Sequence, residues 1–311
     1  MAFSIRLRSG KQLHYDHPVV MGIVNLTPDS FYADSRILTS IDEQTEERLL
    51  RTRVMNMVRN GAEMIDVGAC STRPASVPVS AQEELHRLEW GLPIVISAIH
   101  DARCRRRQMA DGLVPEGTWG DNPCKGCPVD DNPFPVSIDT FRASVAEVAV
   151  NRLGADIVND ISGGMRDAEM LPLIARTGVP YILGADCNDV ATFFHRQLSM
   201  INDQLLNSQN QNSLILDPCF GFSKTLDENY TLMHQLPALI AEFKNYPMLV
   251  GVSRKSMVYK LLQTDAEHSL NGTTVLHTLA LQAGAQILRV HDVPEAVETV
   301  KIVGKMTESG E

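Results

Sequence analysis

Eight times along this chain a short apolar run ends in a polar residue and gives way to a stretch with helical spacing. The runs fall at 19–24, 63–68, 134–140, 156–160, 179–183, 214–217, 248–252 and 285–290. Strands this continuously apolar, several rich in β-branched residues, suit a parallel sheet covered on both faces. Their alternation with helices predicts an α/β fold, a single parallel (β/α)8 barrel. A doubly wound open sheet gives the same alternation, but it gathers its site at one switch point. Polar residues close nearly every run here, which favours a barrel, whose strand ends surround a common mouth.

The connecting stretches carry their own punctuation. Ser40-Ile41-Asp42-Glu43 and Ser80-Ala81-Gln82-Glu83 have capping-box spacing. Gly61, Gly154 and Gly284 stand where helical patterns stop. Before the first barrel strand, Phe3 to His14 reads as a short hairpin that closes the bottom of the core. From about residue 100 to 133 the rhythm fails, with Arg105-Arg106-Arg107 followed by Gly112, Pro115, Gly117, Gly120 and Pro123. A structureless stretch that long reads as an insertion between helix two and strand three. Within it Cys124 and Cys127, with Cys104 and His100 upstream, have the residue types of a zinc site. A second clean ligand pair is missing, so a solvated insertion with an exposed arginine run is the favoured reading.

Composition enters as a set of exclusions. A chain of 311 residues that is 44% hydrophobic can fill one barrel with an insertion. Its net charge of -10 counts against a nucleic-acid groove or an anionic membrane surface. No apolar run reaches the roughly 18 residues of a membrane span, and Met1 to Lys11 does not resemble a signal peptide. The expected compartment is the cytoplasm, with the six cysteines reduced.

The strand ends present Asn25, Asp66, Asp139, Asn159, Asp217, Lys255, Arg289 and His291. Two aspartates and an asparagine can pair with a flat, nitrogen-rich ring, since carboxylates accept from ring N–H groups while an amide both donates and accepts. Lys255, Arg289 and His291, with Thr72 and Arg73, supply donors for a phosphate or pyrophosphate. Asn25 offers a hard oxygen suited to Mg²⁺, which keeps waters and phosphate oxygens as its other ligands. Bland readings stand beside each of these. A lone strand-end Asp is more often a helix cap, Asn25 could form an Asx-turn, Asp66 could brace its loop, and Arg254 could be a wall salt bridge.

Taken together, seven stretches are identifiable. Met21 to Phe31, Asp66-Val67-Gly68 with Ser71-Thr72-Arg73-Pro74, Ser137 to Thr140, Asn159 to Gly164, Asp217-Pro218, Ser253 to Ser256 and Arg289 to Asp292 occur in an order that resembles the dihydropteroate synthase family. The resemblance implies one pterin-binding TIM barrel over residues 1–311. It also implies condensation of 7,8-dihydropterin-CH2-pyrophosphate with p-aminobenzoate to give dihydropteroate and pyrophosphate in folate synthesis. Mg²⁺ and a homodimer are further implied. Position by position, Asp139, Asn159, Asp217 and Lys255 would hold the pterin, and Asn25 would meet the metal. Arg289 and His291 would bind the leaving group, while Thr72, Arg73 and Ser253 would serve p-aminobenzoate. Asp139, Asp217, Lys255 and Arg289 would carry the catalysis. The chain departs from the family pattern at Cys70, Ala75, Cys219, Ser223 and Gly184-Ala185-Asp186. Two other expectations are a pterin-binding barrel of the folate and corrinoid methyltransferase kind, and a non-catalytic pterin-binding paralogue.

Overall fold

The computed structural model describes residues 2–26, 42–70, 79–113, 133–205 and 213–308. Its eight parallel strands are β3 (Val19–Asn25), β4 (Met64–Gly68), β5 (Val136–Asp139), β6 (Ile157–Asp160), β7 (Tyr181–Gly184), β8 (Leu214–Asp217), β9 (Leu249–Val250) and β10 (Ile287–Val290). They are joined side by side in the order β8-β7-β6-β5-β4-β3-β10-β9. A parallel bridge between Leu216 and Met248 brings the two ends of that order together, so the sheet closes as the sequence predicts. Ahead of it, β1 (Phe3–Arg6) and β2 (Gln12–Tyr15) form an antiparallel hairpin.

The period of two along each strand separates two cores. Outward side chains such as Val20, Val24, Ile65, Val67, Val136, Ile138, Val158 and Val290 pack in the layer beneath the helices. Inward side chains Met21, Met64, Ile157, Ile182, Ile215, Leu249 and Ile287 fill the barrel floor together with Phe3, Ile5, Leu7 and Leu13 of the hairpin. The hairpin therefore closes the bottom, as expected. Each of these aliphatic side chains contributes about 1.5–3 kcal/mol through burial. Parity then dictates what lies above the floor. Two residues further along, the same inward face carries Asp66, Asn159, Gly184, Asp217 and Arg289.

Among the described residues the outer ring consists of α1 (Glu43–Arg59), α2 (Ala81–Ala110), α3 (Ala143–Val148) with a π-turn over Ala149–Leu153, α4 (Met170–Thr177), α5 (Val190–Leu205), α6 (Leu226–Glu242), α7 (Ser256–Leu261), α8 (Leu270–Ala283) and α9 (Val293–Glu308). Asp42, rather than Ser40, caps α1, its side chain accepting from Thr45 N at 2.9 Å. Ser40 lies outside the described residues. Ser80 caps α2 as expected.

That second helix is longer than the sequence spacing suggests, running 30 residues to Ala110. Its buried face continues through Ala98, Ile99, Ala102 and Cys104, and Asp101 pairs with Arg51 of α1. The first part of the expected insertion, including Arg105 to Arg107, is therefore helix. The helix ends at Asp111 and Gly112, the latter with φ 69°, since a breaker ends a helix and a run of charge alone does not. Cys124 and Cys127 lie outside the described residues. Cys104 is disulfide-bonded, whereas Cys70, Cys187 and Cys219 are not in disulfides. The expectation of six reduced cysteines is therefore not met at Cys104. Among the described residues no helix is long and apolar enough to cross a membrane.

Candidate active site

Arg289 sits at the centre of the barrel mouth. From β10 its Nε donates to Asp66 Oδ2 at 2.7 Å and its Nη2 to Asp139 Oδ2 at 2.8 Å, so one guanidinium bridges two strand-end carboxylates. Asn159 Nδ2 donates to the same Asp66 oxygen at 3.0 Å. Asp139 and Asn159 are register partners across β5 and β6, which sets both groups at one height. Asp66 is fully buried, and its position answers the sequence question left open for it: it anchors the network rather than merely bracing a loop. Both Asp66 Oδ1 and Asn159 Oδ1 have no hydrogen-bond partner among the described residues.

A second group lies beside the first. Asp217 ends β8, is 5% exposed, and accepts Cys219 N at 2.8 Å. Lys255 caps the start of α7, donates to Phe220 O and places its ammonium 4.3 Å from the centre of the Phe222 ring. Lys224 Nζ ties two neighbouring loops together by donating to Ala185 O at 3.2 Å and Cys219 O at 3.1 Å. Phe222 and Lys224 were not singled out from the sequence. They follow a strand end at a distance, in a loop whose folding back cannot be read from spacing.

Charge in this closed space is strongly perturbed. Burial pushes the Asp139 carboxyl up to about 7, with the neighbouring Arg289 opposing that shift. Burial likewise raises Asp217, opposed chiefly by Lys255. Lys255 is pulled down to about 8 by burial, with Asp217 holding it from falling further. For Arg289 burial disfavours the charge, but Asp66 and Asp139 outweigh it and keep its pKa above the ordinary value.

The remaining sequence candidates divide. Ser253 is buried and accepts His291 N at 3.1 Å, so the ends of β9 and β10 meet. Arg254 forms a forked pair with Asp292, at 2.8 and 2.9 Å, and is the wall salt bridge that the bland reading foresaw. Thr72 and Arg73 lie outside the described residues. Asn25 ends β3, and its Oδ1 lies 3.3 Å from where a side chain on Gly68 would begin, with Asp139 3.7 Å from the same point. Only glycine at 68 leaves Asn25 and Asp139 facing one open space. Among the described residues no three His, Cys, Asp or Glu side chains converge on a metal position. Asn25 Oδ1 is a hard oxygen donor of the kind that Mg²⁺ takes.

The departures noted in the sequence have structural consequences. Cys219 and Ser223 adopt positive φ, 55° and 41°, a region that favours glycine. At Gly184 an added Cβ would lie 2.5 Å from Ile161 Cα and 2.6 Å from Asp160 O, because the chain leaving β6 presses directly on it. Gly184→Ala is expected to force that backbone aside, costing about 1–3 kcal/mol. Urea denaturation should show the loss, and a midpoint equal to that of the parent protein would refute the contact.

Comparison with known proteins agrees with this arrangement. The pterin binding enzyme family matches residues 21–105 and 129–291. Dihydropteroate synthase of Synechocystis sp. is 34% identical over 91% of this chain and 88% of its own length. The Escherichia coli K12 dihydropteroate synthase is 33% identical over 94% of this chain and 93% of its own. A solved Xanthomonas albilineans dihydropteroate synthase with 4-aminobenzoic acid superposes with a TM-score of 0.74 at 29% identity, covering 98% of this chain and 99% of that one. By family match and by near full-length identity above 30%, the chain belongs to the dihydropteroate synthase family of pterin binding enzymes.

Proposed function

We propose that this protein condenses 7,8-dihydropterin-CH2-pyrophosphate with p-aminobenzoate, releasing pyrophosphate and forming 7,8-dihydropteroate. The observation that carries the reading is the convergence of Asp66, Asp139, Asn159 and Arg289 on one network, with Asp217 and Lys255 beside it. In this reading Asp217, Asp139 and Asn159 receive the N–H edge of the pterin, and Lys255 donates to its acceptor atoms. The C–O bond to pyrophosphate breaks as the methylene carbon becomes electron-poor. The buried carboxylates stabilise that positive charge, and Arg289 and His291 stabilise the departing anion. The arylamine nitrogen then bonds to the carbon and loses one proton. Asn25 would hold Mg²⁺, which supplies further neutralisation of the pyrophosphate charge. Thr72, Arg73 and Ser253 complete the arylamine side. The same proposal places the enzyme in the cytoplasm as a homodimer, for which Val275 and Leu279, one turn apart on α8, offer exposed apolar surface.

The test is pyrophosphate release that depends on p-aminobenzoate. A methyltransferase-type barrel or a non-catalytic paralogue gives none. The same assay carries a pH signature. Asp139 must be charged to accept and stabilise, so kcat/KM should rise as pH passes upward through about 7. Lys255 must keep its proton to donate, so kcat/KM should fall as pH passes upward through about 8. A narrow bell is expected, and a profile flat from pH 6 to 9 would contradict both assignments.

A further inference from the structure

Asp160 is a fully buried carboxylate that the proposed chemistry leaves unused. It ends β6 directly after the inward Asn159, so strand parity turns it outward, toward the layer in which Tyr181 is packed. Four donors meet it there. Its Oδ1 accepts Ser162 N at 2.8 Å and Ser162 Oγ at 2.7 Å, while its Oδ2 accepts Gly164 N at 2.8 Å and the Tyr181 hydroxyl at 2.8 Å. Tyr181 opens β7 and is itself fully buried. Inside the turn, Gly163 has no room for a side chain, since an added Cβ would lie 2.8 Å from Gly184 O. The turn after β6 is thus held between its own carboxylate and the end of β7, where Gly184 is the register partner of Asp217. On the opposite flank Asn159 O accepts the N–H of Thr140, the residue after Asp139, at 2.9 Å.

We propose that Asp160 and Tyr181 are positioning residues, a buried carboxylate and phenol that lock the turn after β6 and thereby fix Asn159 in its network with Asp66 and Arg289. Which substrate the lock serves rests on the reading above, whereas the lock itself rests on the contacts just given. An ionised carboxylate is costly to bury unless donors surround it, and hydrogen bonds to a charged group are the stronger kind. Burial raises the Asp160 carboxyl, and its bonds from Ser162, Gly164 and Tyr181 oppose that shift. Of these four donors Tyr181 alone comes from another strand, so it ties the turn to β7 rather than to itself. Asn159 and Asp160 are consecutive on opposite faces of one strand, and any twist of the outward carboxylate swings the inward amide with it. Loosening on the outer side is therefore felt at the Asn159 amide, whose Nδ2 reaches Asp66 at 3.0 Å.

The discriminating variant is Tyr181→Phe, which removes one oxygen and keeps the ring that fills the layer. In the full-length protein, KM for the dihydropterin pyrophosphate should rise about tenfold, the scale of one hydrogen bond to a charged group. The turnover number kcat and KM for p-aminobenzoate should stay within about twofold, because only binding at the ring edge is loosened. Ser162→Ala, which takes a donor from the other carboxylate oxygen, should move the same constant in the same direction. Hydrogen exchange reads the lock without turnover: the amides of Gly164 and Thr140 should exchange about tenfold faster in Tyr181→Phe. Unchanged exchange at Gly164 overturns the lock. Faster exchange with KM for the dihydropterin pyrophosphate unchanged, or with both KM values rising together, leaves Tyr181 a packing residue and overturns its hold on Asn159. A parent protein that releases no pyrophosphate would instead sink the functional reading, while exchange at Gly164 and Thr140 still decides on the lock.

Discussion

Replacing Asp217 with alanine is expected to lower kcat/KM by about 10²–10³-fold, the range lost when a group stabilising transition-state charge is removed. Asp217 is the carboxylate that most opposes the loss of charge at Lys255. Without it, the proposed site loses an acceptor for the ring edge and a negative charge facing the electron-poor methylene carbon. Lys255 would also lose its proton more readily, so the alkaline limb of the pH profile should move below about 8. Steady-state kinetics across pH would show both effects. Turnover within about threefold of the parent protein, with the alkaline limb unmoved, would remove Asp217 from the catalytic machinery. Because the buried Cys219 N–H would lose its acceptor, a stability cost of about 1–3 kcal/mol should accompany the kinetic one.

Arg289→Met should be the more damaging change to the fold. The bridging guanidinium is the side-chain cation paired with both Asp66 and Asp139, and the two carboxylates lie in a space almost closed to solvent. Methionine fills the volume but leaves two buried acids without their cation. Breaking a buried pair in that way costs about 3–5 kcal/mol. Asp139 can reduce the cost by taking up a proton, since Arg289 is what opposes its upward shift. The acid limb of any remaining activity should therefore move above about 7. Chemical denaturation and the pH profile report on the two parts separately. Arg289→Lys should recover only part of either, since an ammonium lacks the fork that reaches both carboxylates. An unchanged denaturation midpoint in Arg289→Met would contradict the pairing.

Much of this was legible because a barrel strand has a period of two and a fixed polarity. Once Ile215 is assigned to the floor, Asp217 must face inward above it, and the same step takes Ile157 to Asn159 and Ile287 to Arg289. The sequence was less informative wherever partners come from distant elements. Asp66 looked ambiguous because a lone strand-end carboxylate caps or braces as often as it binds, and only Arg289, 223 positions away, decides its role. For Arg254 the wall salt bridge was only one possibility until Asp292, 38 positions away, was found to pair with its Nε and Nη2. The end of α2 was misplaced because an arginine run suggested a solvated segment, while its buried face still had α1 to pack against.

By itself the sequence determined the fold class, the order of the elements and the set of strand-end residues that could meet. Those follow from hydrophobic period and turn chemistry, which act over a few neighbouring residues. Tertiary structure alone decided which charges pair, how far burial moves Asp139 and Lys255, and how Tyr181 of one strand reaches Asp160 at the end of its neighbour. Electrostatic energies depend on separation and on exclusion of water, and neither is set until the barrel closes.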